Sequence, residues 1–228
     1  MEDKKEGVTV TKLFFIRHGK TQWNLEGRYQ GAHGDSPLLP ESNHEIGLLV
    51  KYLKKYQFAA LYTSPIKRAA TTANEIAHQL PQPLTVKPLT ELREFDLGKM
   101  EGMKFSEVAK LYPHELEAFR HHADQYHAER VQGESFPALF KRMTPAIQKI
   151  VQQYPRSTDN VLIVSHGAAL CAEIRHLLGY SLKNLRDHGG LANTSTTILE
   201  TSDGKSFSCL EWNKTDYLQR KLTASDIV

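Results

Sequence analysis

The chain has 228 residues, of which 40% are hydrophobic and 24% are charged, and it carries a formal net charge of +3. This composition is that of an ordinary globular protein, and no linker-like break divides the chain, so we expect a single domain over residues 1–228. No apolar run approaches the roughly 18 residues that a membrane span needs, and so small a net charge does not indicate a nucleic-acid partner.

Strand patterns and helix patterns alternate along the sequence. Three short apolar runs, at 13–16, 59–63 and 161–164, have the pattern of strands buried on both faces, which is typical of a parallel sheet. Helical patterns lie between and after these runs, at about 44–56, 65–79, 135–153 and 168–178. The alternation predicts an α/β fold with a mostly parallel central sheet and helices on both faces, in three layers.

Three other segments complete the predicted order. The proline-rich stretch 79–89 is predicted to be a loop with at most a short strand. Residues 104–130 contain helical pieces without a strand, and we interpret this region, at about 104–133, as a small helical cap inserted into the domain. Residues 194–201 and 207–212 are predicted to form a closing pair of strands around the turn 202–205.

Polar residues follow each of the three apolar runs, where ligands bind in open α/β sheets. They are Arg17, His18 and Gly19 after the first run, Ser64, Pro65 and Arg68 after the second, and Ser165, His166 and Gly167 after the third. Ser64 is predicted to be a helix N-cap with Pro65 at the first helical position, and Arg68 then leans back towards the sheet. We therefore expect two histidines and two arginines to converge at one edge.

Two converging guanidinium groups indicate an anionic ligand. They would repel each other without an anion between them, and their planar forks match phosphate oxygens. A histidine beside a phosphoryl group is either a hydrogen-bond donor or a nucleophile that forms a covalent phosphohistidine. The leaving alkoxide needs an acid, and the loop 90–102 supplies four carboxylates among which spacing does not choose: Glu91, Glu94, Asp96 and Glu101.

Four segments resemble, in order, the motifs of one protein family. "RHGKTQWN", at 17–24, is similar to the R-H-G-x-T-x-x-N signature of the histidine phosphatase, or phosphoglycerate mutase-like, superfamily. "YTSPIKRAATTA", "LREFDLGKMEG" and "LIVSHGAAL" resemble its three other motifs. The resemblance covers most of the chain and implies the phosphoglycerate mutase-like fold.

The resemblance implies a phosphate site. His18 matches the phosphate-accepting nucleophile, and Arg17 and Arg68 match the arginines that clamp the phosphate. His166 matches the second histidine, which donates to the phosphoryl oxygens, and Gly167 follows it in the same phosphate-binding motif.

Three more residues take roles from the same resemblance. Glu94 aligns with the proton donor of the family, and Asn24 with the asparagine of the first motif. Gln30 matches a glutamine that lines the substrate pocket in the phosphatase branch. For Asn24 and Gln30, bracing of their loops by hydrogen bonds to backbone is an equal alternative.

The sequence departs from the family pattern at two places. After "DSPL" the family usually continues with Thr and then Gly, whereas Leu39 and Pro40 follow here, so we expect an unusual start for the next helix. Met100 stands where the phosphatase branch commonly has Trp, and we expect only a packing effect from it.

The segment after the acid motif separates phosphatases from mutases. Cofactor-dependent mutases resemble one another in an Arg-Arg-Tyr and proline-rich segment, which this chain lacks, whereas its "GESF" at 133–136 resembles the phosphatase branch. We therefore predict a metal-independent phosphomonoester hydrolase that works through phosphohistidine on His18. The alternatives are a cofactor-dependent phosphoglycerate mutase and a non-catalytic phosphate-binding protein.

The predicted partner is a small phosphorylated metabolite, with phosphate or sulfate able to occupy the pocket. Family candidates include sugar phosphates, phosphoglycerates, nucleotide-pathway monoesters and the cobalamin precursor phosphate, and the sequence does not choose among them. A homodimer is left open. The charged stretch 1–12 lacks the pattern of a secretory signal, so we expect a cytoplasmic protein with no nucleic-acid or membrane partner.

We expect neither a cofactor nor a metal site. The cap region contains a run of histidines whose spacing lacks the tight pairing with a carboxylate that zinc enzymes show, so we interpret them as polar surface: His114, His121, His122 and His127. The two cysteines, Cys171 and Cys209, form neither a disulfide framework nor a zinc site, and we expect both to be buried and reduced.

Overall fold

A mixed sheet forms the middle layer of the protein. The computed structural model describes residues 10–155, 159–187 and 189–227, and its six strands have the order β3-β2-β4-β1-β5-β6. The strands are β1 Thr11–Arg17, β2 Phe58–Thr63, β3 Val86–Pro88, β4 Asn160–Ser165, β5 Thr196–Thr201 and β6 Ser208–Lys214. The first four strands in this order pair in parallel, and β5 and β6 are antiparallel to their neighbours. The predicted mostly parallel sheet and its closing strand pair are confirmed.

Seven α-helices surround the sheet within the described residues. They are α1 Gln22–Glu26, α2 Pro40–Leu53, α3 Lys67–Gln79, α4 Phe105–Leu111, α5 Pro113–His121, α6 Phe136–Gln153 and α7 Gly167–Leu177. Four of them, α2, α3, α6 and α7, correspond to the predicted helices. Helix α2 begins earlier than predicted because Pro40 occupies its first turn, and Leu39 before it provides no side-chain cap.

The two faces of β1 show why the fold has three layers. Leu13 and Phe15 belong to the core cluster that includes residues of α6 and α7. Phe14 and Ile16 point to the opposite face and join the cluster formed with α2 and α3. All four side chains are at most 1% exposed, so the continuous apolar run that predicted a doubly covered strand is explained by helices on both sides.

The cap region lies over the edge at which β1 ends. It contains α4, α5 and two single turns of 3-10 helix, Ala123–Gln125 and Ala128–Arg130. Phe119 of α5 is 2% exposed, and its ring centroid lies 5.3 Å from that of Phe95 and 5.7 Å from that of Phe136. These aromatic contacts attach the cap to the acid-motif loop and to the start of α6.

One expectation about the cysteines is wrong. Cys171 is buried in α7 as expected, but Cys209 is exposed because it lies on β6, the last strand at one edge of the sheet. Neither cysteine is in a disulfide. No helix within the described residues is long and apolar enough to cross a membrane.

Candidate active site

The parallel pairing of β1 and β4 brings the two motif histidines together. Arg17 at the end of β1 lies opposite Ser165 at the end of β4, so the next residue of each strand, His18 and His166, reaches the same edge of the sheet. The centroids of the two imidazole rings are 5.3 Å apart, and the side chains are 2% and 0% exposed. The predicted convergence of the histidines is confirmed.

Hydrogen bonds determine the tautomer of His18. Its Nδ1 lies 2.8 Å from the carbonyl oxygen of Gly19, which can only accept, so Nδ1 carries the proton. Its Nε2 accepts a hydrogen bond from Nε of Arg68 at 3.2 Å. Burial, followed by the charges of Arg68 and Arg17, lowers the pKa of His18 well below its ordinary value of 6.5. His18 is therefore a neutral imidazole whose Nε2 has a lone pair.

Arg68 is held by a loop that wraps around its guanidinium group. Its Nη1 donates to the carbonyl of Gly34 at 2.8 Å and to the carboxylate of Asp35 at 3.0 Å, and its Nη2 donates to the carbonyl of Gly31 at 2.9 Å. Burial lowers the pKa of Arg68, whereas the nearby carboxylates of Glu94 and Asp35 raise it. The motif did not reveal Asp35 as the ion-pair partner of Arg68.

Glu101 holds that loop in place. Its carboxylate accepts hydrogen bonds from the backbone N–H groups of residues 32–34 at 2.8–2.9 Å and from that of Leu97 at 3.1 Å. Gly31 has φ +65°, and a Cβ there would lie 2.1 Å from Oε1 of Glu101, so only glycine fits. Glu101, one of the four acid candidates, is thus engaged in supporting the loop around Arg68.

Arg17 crosses the start of α7. Its Nη1 donates to the carbonyls of Leu191 at 2.6 Å and Asp226 at 2.8 Å, while its Nε is buried and has no hydrogen-bond partner within the described residues. A Cβ at Gly167 would lie 2.9 Å from Nε of Arg17, so the glycine allows this close approach. Burial lowers the pKa of Arg17 to about 10, and the group stays protonated at neutral pH.

Ser64 contacts His166 instead of capping a helix. Its Oγ lies 2.7 Å from Nε2 of His166, and α3 begins only at Lys67 with Ile66 as its N-cap residue. The predicted capping role of Ser64 and the predicted helical position of Pro65 are therefore wrong. The Nδ1 of His166 is buried without a hydrogen-bond partner among the described residues, and burial, then the charge of Arg68, lowers the pKa of His166 well below 6.5.

Glu94 caps α7 with its side chain. Its Oε1 accepts from the backbone N–H groups of Ala169 at 2.7 Å and Phe95 at 3.0 Å, and its Oε2 accepts from that of Ala168 at 3.1 Å. These bonds satisfy N–H groups in the first turn of α7, which its N-cap residue His166 does not satisfy with its side chain. The carboxylate is thereby fixed beside the phosphate motif.

The other two acid candidates, Asp96 and Glu91, do not line the cavity that His18 lines. Asp96 accepts from the backbone N–H of Gly98 at 2.8 Å and lies 3.3 Å from the exposed ring of His33. Glu91 is exposed. Of the four carboxylates, Glu94 alone lines the cavity described below.

Asn24 and Gln30 brace their loops and also face the cavity. Oδ1 of Asn24 accepts from the backbone N–H of Thr21 at 3.1 Å and from the side chain of Asn193 at 3.3 Å. Nε2 of Gln30 donates to Oγ1 of Thr21 at 2.9 Å, and its Oε1 accepts from Ser36 at 3.1 Å. For Asn24, a bracing hydrogen bond to backbone and a place at the cavity are therefore compatible, whereas the side chain of Gln30 bonds to side chains and not to backbone.

The site residues surround one small cavity of about 30 Å³. Of the eight residues predicted for the site, seven line it: Arg17, His18, Asn24, Gln30, Arg68, Glu94 and Gly167. The eighth, His166, is fully buried and lies beside the ring of His18. Two buried arginines, a neutral histidine and a carboxylate therefore face one small space, which suits a tetrahedral anion and a leaving group that needs a proton.

The cap histidines are surface residues. His114, His121, His122 and His127 are all exposed. Within the residues that the structure describes, no group of three or more His, Cys, Asp or Glu side chains could hold a metal ion.

Fold and site together define a phosphate-handling α/β/α enzyme, and comparisons with known proteins specify its family. The model of the histidine phosphatase superfamily (branch 1) matches residues 13–215. The chain therefore belongs to the histidine phosphatase superfamily, and it is a phosphatase of that class.

Three known proteins show how similar the chain is to other proteins in sequence and structure. The chain is 29% identical to Phosphoglycerate mutase-like protein 4 of Arabidopsis thaliana, over 94% of this chain and 90% of that protein. It is 30% identical to Phosphoserine phosphatase 1 of Hydrogenobacter thermophilus, over 85% and 88%. A mycobacterial glucosyl-3-phosphoglycerate phosphatase, solved in complex with inorganic phosphate, is 26% identical with a TM-score of 0.78, over 90% and 98%.

Proposed function

We propose that the chain hydrolyses a phosphomonoester of a small metabolite through a covalent phosphohistidine on His18, without a metal ion. The observation that carries this proposal is the neutral His18, whose Nε2 lone pair faces Arg68 while Nδ1 is held by Gly19. A neutral imidazole fixed in this tautomer is a nucleophile, and the neighbouring arginines stabilise negative charge on phosphoryl oxygens.

In the first half-reaction, Nε2 of His18 attacks phosphorus in line with the ester oxygen. The N–P bond forms, the P–O bond to the alcohol breaks, and the leaving oxygen takes a proton from Glu94. Arg68 turns its Nε from His18 to a phosphoryl oxygen, and the buried Nε of Arg17 gains a partner there. The unpartnered Nδ1 of His166 supplies one more contact.

In the second half-reaction, water replaces the alcohol. Glu94 accepts a proton from this water as its oxygen attacks phosphorus, the N–P bond breaks, and inorganic phosphate leaves with His18 neutral again. Oε2 of Glu94 accepts one backbone hydrogen bond whereas Oε1 accepts two, so Oε2 is the oxygen with more room for the proton.

The charge of the site supports metal independence. The developing charge on the phosphoryl oxygens needs positive charge nearby, which Arg17 and Arg68 supply in a buried environment where electrostatic interactions are strong. A bound metal ion would bring the same stabilisation.

The relatives differ in their named activities, so mutase activity is the second candidate. One is named phosphoglycerate mutase-like and another a phosphoserine phosphatase. The missing Arg-Arg-Tyr segment favours hydrolysis. The two activities are separated by measuring the interconversion of 2- and 3-phosphoglycerate and the release of phosphate from the same substrates. Interconversion faster than release would favour the mutase.

The phosphohistidine is tested by His18→Ala. We expect this variant to lose phosphate release by at least about 10⁴-fold because the nucleophile is missing. The wild type, quenched during turnover, should carry an acid-labile, base-stable phosphoryl group that His18→Ala lacks. Activity should not change in a chelator.

His114→Ala, an exposed cap histidine, is the matched control and should retain full activity. Undiminished turnover in His18→Ala would exclude the covalent mechanism. Activity lost in the chelator and restored by a divalent ion would exclude metal independence.

A further inference from the structure

A larger cavity opens directly beside the phosphate site. It has a volume of about 590 Å³ and shares four lining residues with the smaller cavity: Tyr29, Phe105, Phe119 and Ala168. The two cavities therefore adjoin along these side chains, three of which are aromatic. A phosphoryl group in the small cavity has the larger cavity next to it, on the side of these shared residues.

Arg120 forms one wall of the larger cavity. Its Nε donates to the hydroxyl of Tyr29 at 2.9 Å, and its guanidinium carbon lies 5.1 Å from the ring centroid of Phe105 and 5.6 Å from that of Tyr29. These contacts fix the plane of the guanidinium group, and among the described residues its two terminal nitrogens have no hydrogen-bond acceptor.

Arg186 forms a second wall and is fixed in the same manner. Its Nε donates to the carbonyl of Phe119 at 3.0 Å, and its guanidinium carbon lies 4.9 Å from the ring centroid of Phe119 and 5.2 Å from that of Phe136. Burial is the main cause that lowers the pKa of Arg186. A half-buried guanidinium group that is stacked in this way interacts with a nearby anion more strongly than a fully exposed one does.

Neither arginine is neutralised by a carboxylate. Within the described residues, no acidic side chain lies within ion-pair distance of Arg120 or Arg186. Arg28, which lines the smaller cavity, is by contrast paired with Glu26 at 2.8 Å. The carboxylate that lines the larger cavity, that of Asp187, is exposed and belongs to none of these ion pairs.

We infer that Arg120 and Arg186 form a second anion-binding subsite, so that the substrate is a phosphomonoester that carries a second anionic group, a carboxylate or a phosphate, on a short linker. These two guanidinium groups, which have no carboxylate partner among the described residues, lie beside one cavity, and Arg17 and Arg68 lie beside the smaller one. A planar guanidinium group binds the oxygens of a carboxylate or a phosphate bidentately. This inference rests on the proposed function for the position of the first phosphoryl group.

Paired substrates that differ only in the second anion test the subsite. 3-Phosphoglycerate and glycerol 3-phosphate differ by a carboxylate, and fructose 1,6-bisphosphate and fructose 6-phosphate differ by a phosphate. In at least one pair, we expect the wild type to have a KM at least about tenfold lower for the member with the second anionic group than for the member without it. The pair that shows this preference identifies the anion.

Arg120→Gln and Arg186→Gln should each remove most of this preference by raising KM for the member with the second anionic group. The kcat values, and the KM of the member without that group, should change little. Arg130→Gln, which removes the same charge from a cap arginine paired with Glu115 at 3.0 Å, is the matched control and should keep the preference. Arg120 is exposed, so its variant remains informative even if Arg186→Gln does not fold.

Binding to the His18→Ala variant separates this inference from the proposed function. Calorimetric titration with 3-phosphoglycerate and glycerol 3-phosphate, and with the two fructose phosphates, measures the second anion's effect without turnover. If His18→Ala bound the two members of each pair with equal affinity, the subsite would be overturned even in an active phosphatase. The same holds if Arg120→Gln weakened the binding of both members of each pair equally. A preference that depends on Arg120, in a protein that releases no phosphate, would support the subsite and overturn the hydrolase.

Discussion

Glu94 shows how one side chain serves both the stability and the proposed chemistry of the site. Its two oxygens accept three backbone hydrogen bonds, two of them from the first turn of α7. The same carboxylate lines the cavity with His18. A substitution at this position therefore affects helix capping and proton transfer together, and an experiment must separate the two effects.

The dependence of the rate on the leaving group separates helix capping from proton transfer. Glu94→Gln should lose about 10²–10⁴-fold in kcat on an alkyl phosphate, because the poor leaving alkoxide needs the proton that Gln does not supply. The loss on nitrophenyl phosphate should be much smaller, since that group departs readily as an anion. Initial rates on the two substrates, with quenched labelling of His18 to follow its slower dephosphorylation, measure the effect.

A purely structural role gives a different result. Loss of a capping interaction costs about 1 kcal/mol of unfolding free energy and reduces the rate on both substrates alike. Glu91→Gln and Asp96→Asn are the matched controls and should show no dependence on the leaving group. If either variant showed it while Glu94→Gln remained active, the assignment of the proton donor would be incorrect.

At the scale of elements, residues 215–227 hold Arg17, the residue of β1 that we propose to bind phosphate. The carbonyl of Asp226 accepts from Nη1 of Arg17 at 2.8 Å, although the two residues are 209 positions apart. The Asp226 carboxylate is fully buried and accepts from Arg220 at 2.9 Å and from Lys20 at 3.0 Å. Burial alone would raise the pKa of Asp226, but hydrogen bonds from Arg220, Thr223 and Lys20 hold it well below its ordinary value.

Asp226→Asn should weaken phosphate binding from outside the cavity. The amide cannot pair with Arg220 and Lys20, so the segment is released and Arg17 loses a fixed acceptor. We expect the inhibition constant of inorganic phosphate to rise about tenfold and the unfolding free energy to fall by about 1–3 kcal/mol, less than for a fully buried pair because Arg220 is partly exposed.

Asp216→Asn, at an exposed aspartate of the same segment that pairs with Lys214, is the matched control and should leave phosphate inhibition unchanged. Inhibition by phosphate, measured well below the melting temperature of each variant, gives the comparison. An unchanged inhibition constant in Asp226→Asn would show that Arg17 is positioned without this segment.

The same contacts show what the sequence predicts and what it does not. The apolar runs predict β1, β2 and β4, and the residues that follow them predict the meeting of Arg17, His18 and His166, because strand direction fixes those positions. The acceptors of Arg17 have no such signal, since Leu191 and Asp226 contribute backbone carbonyls from loops 174 and 209 positions away. The predicted capping role of Ser64 is wrong because a serine before proline is typical of a helix start, and the sequence carries no signal for its contact with His166.

Across the whole molecule, buried ionisable groups make stability depend on pH in two opposite directions. The folded state holds His18 and His166 neutral, with pKa values well below 6.5, so the unfolded chain binds more protons as the pH falls below 6.5 and stability is lost. Glu173 of α7 acts in the other direction. Burial raises its pKa to about 8, so the folded chain keeps a proton that the unfolded chain releases near 4.5, and stability is lost as the pH rises between these values.

Glu173→Gln should remove the loss of stability that occurs as the pH rises. The side chain is fully buried between α6 and α7, its Oε1 accepts from Thr144 at 2.7 Å, and its Oε2 has no partner within the described residues. Glutamine keeps the shape and the acceptor but does not ionise. We expect the unfolding free energy at pH 8 to increase by on the order of 2 kcal/mol. The gain should shrink towards pH 5, because the unfolded chain increasingly binds the same proton as the pH approaches its ordinary pKa of 4.5.

Denaturant unfolding at several pH values between 5 and 8 measures this gain, and phosphate release measured in parallel should be unchanged because Glu173 does not line the phosphate cavity. Glu117→Gln, at an exposed glutamate of α5, is the matched control and should give a curve parallel to that of the wild type. If Glu173→Gln also gave a parallel curve, Glu173 would not be protonated in the folded protein. The loss of stability towards alkaline pH would then arise elsewhere in the molecule.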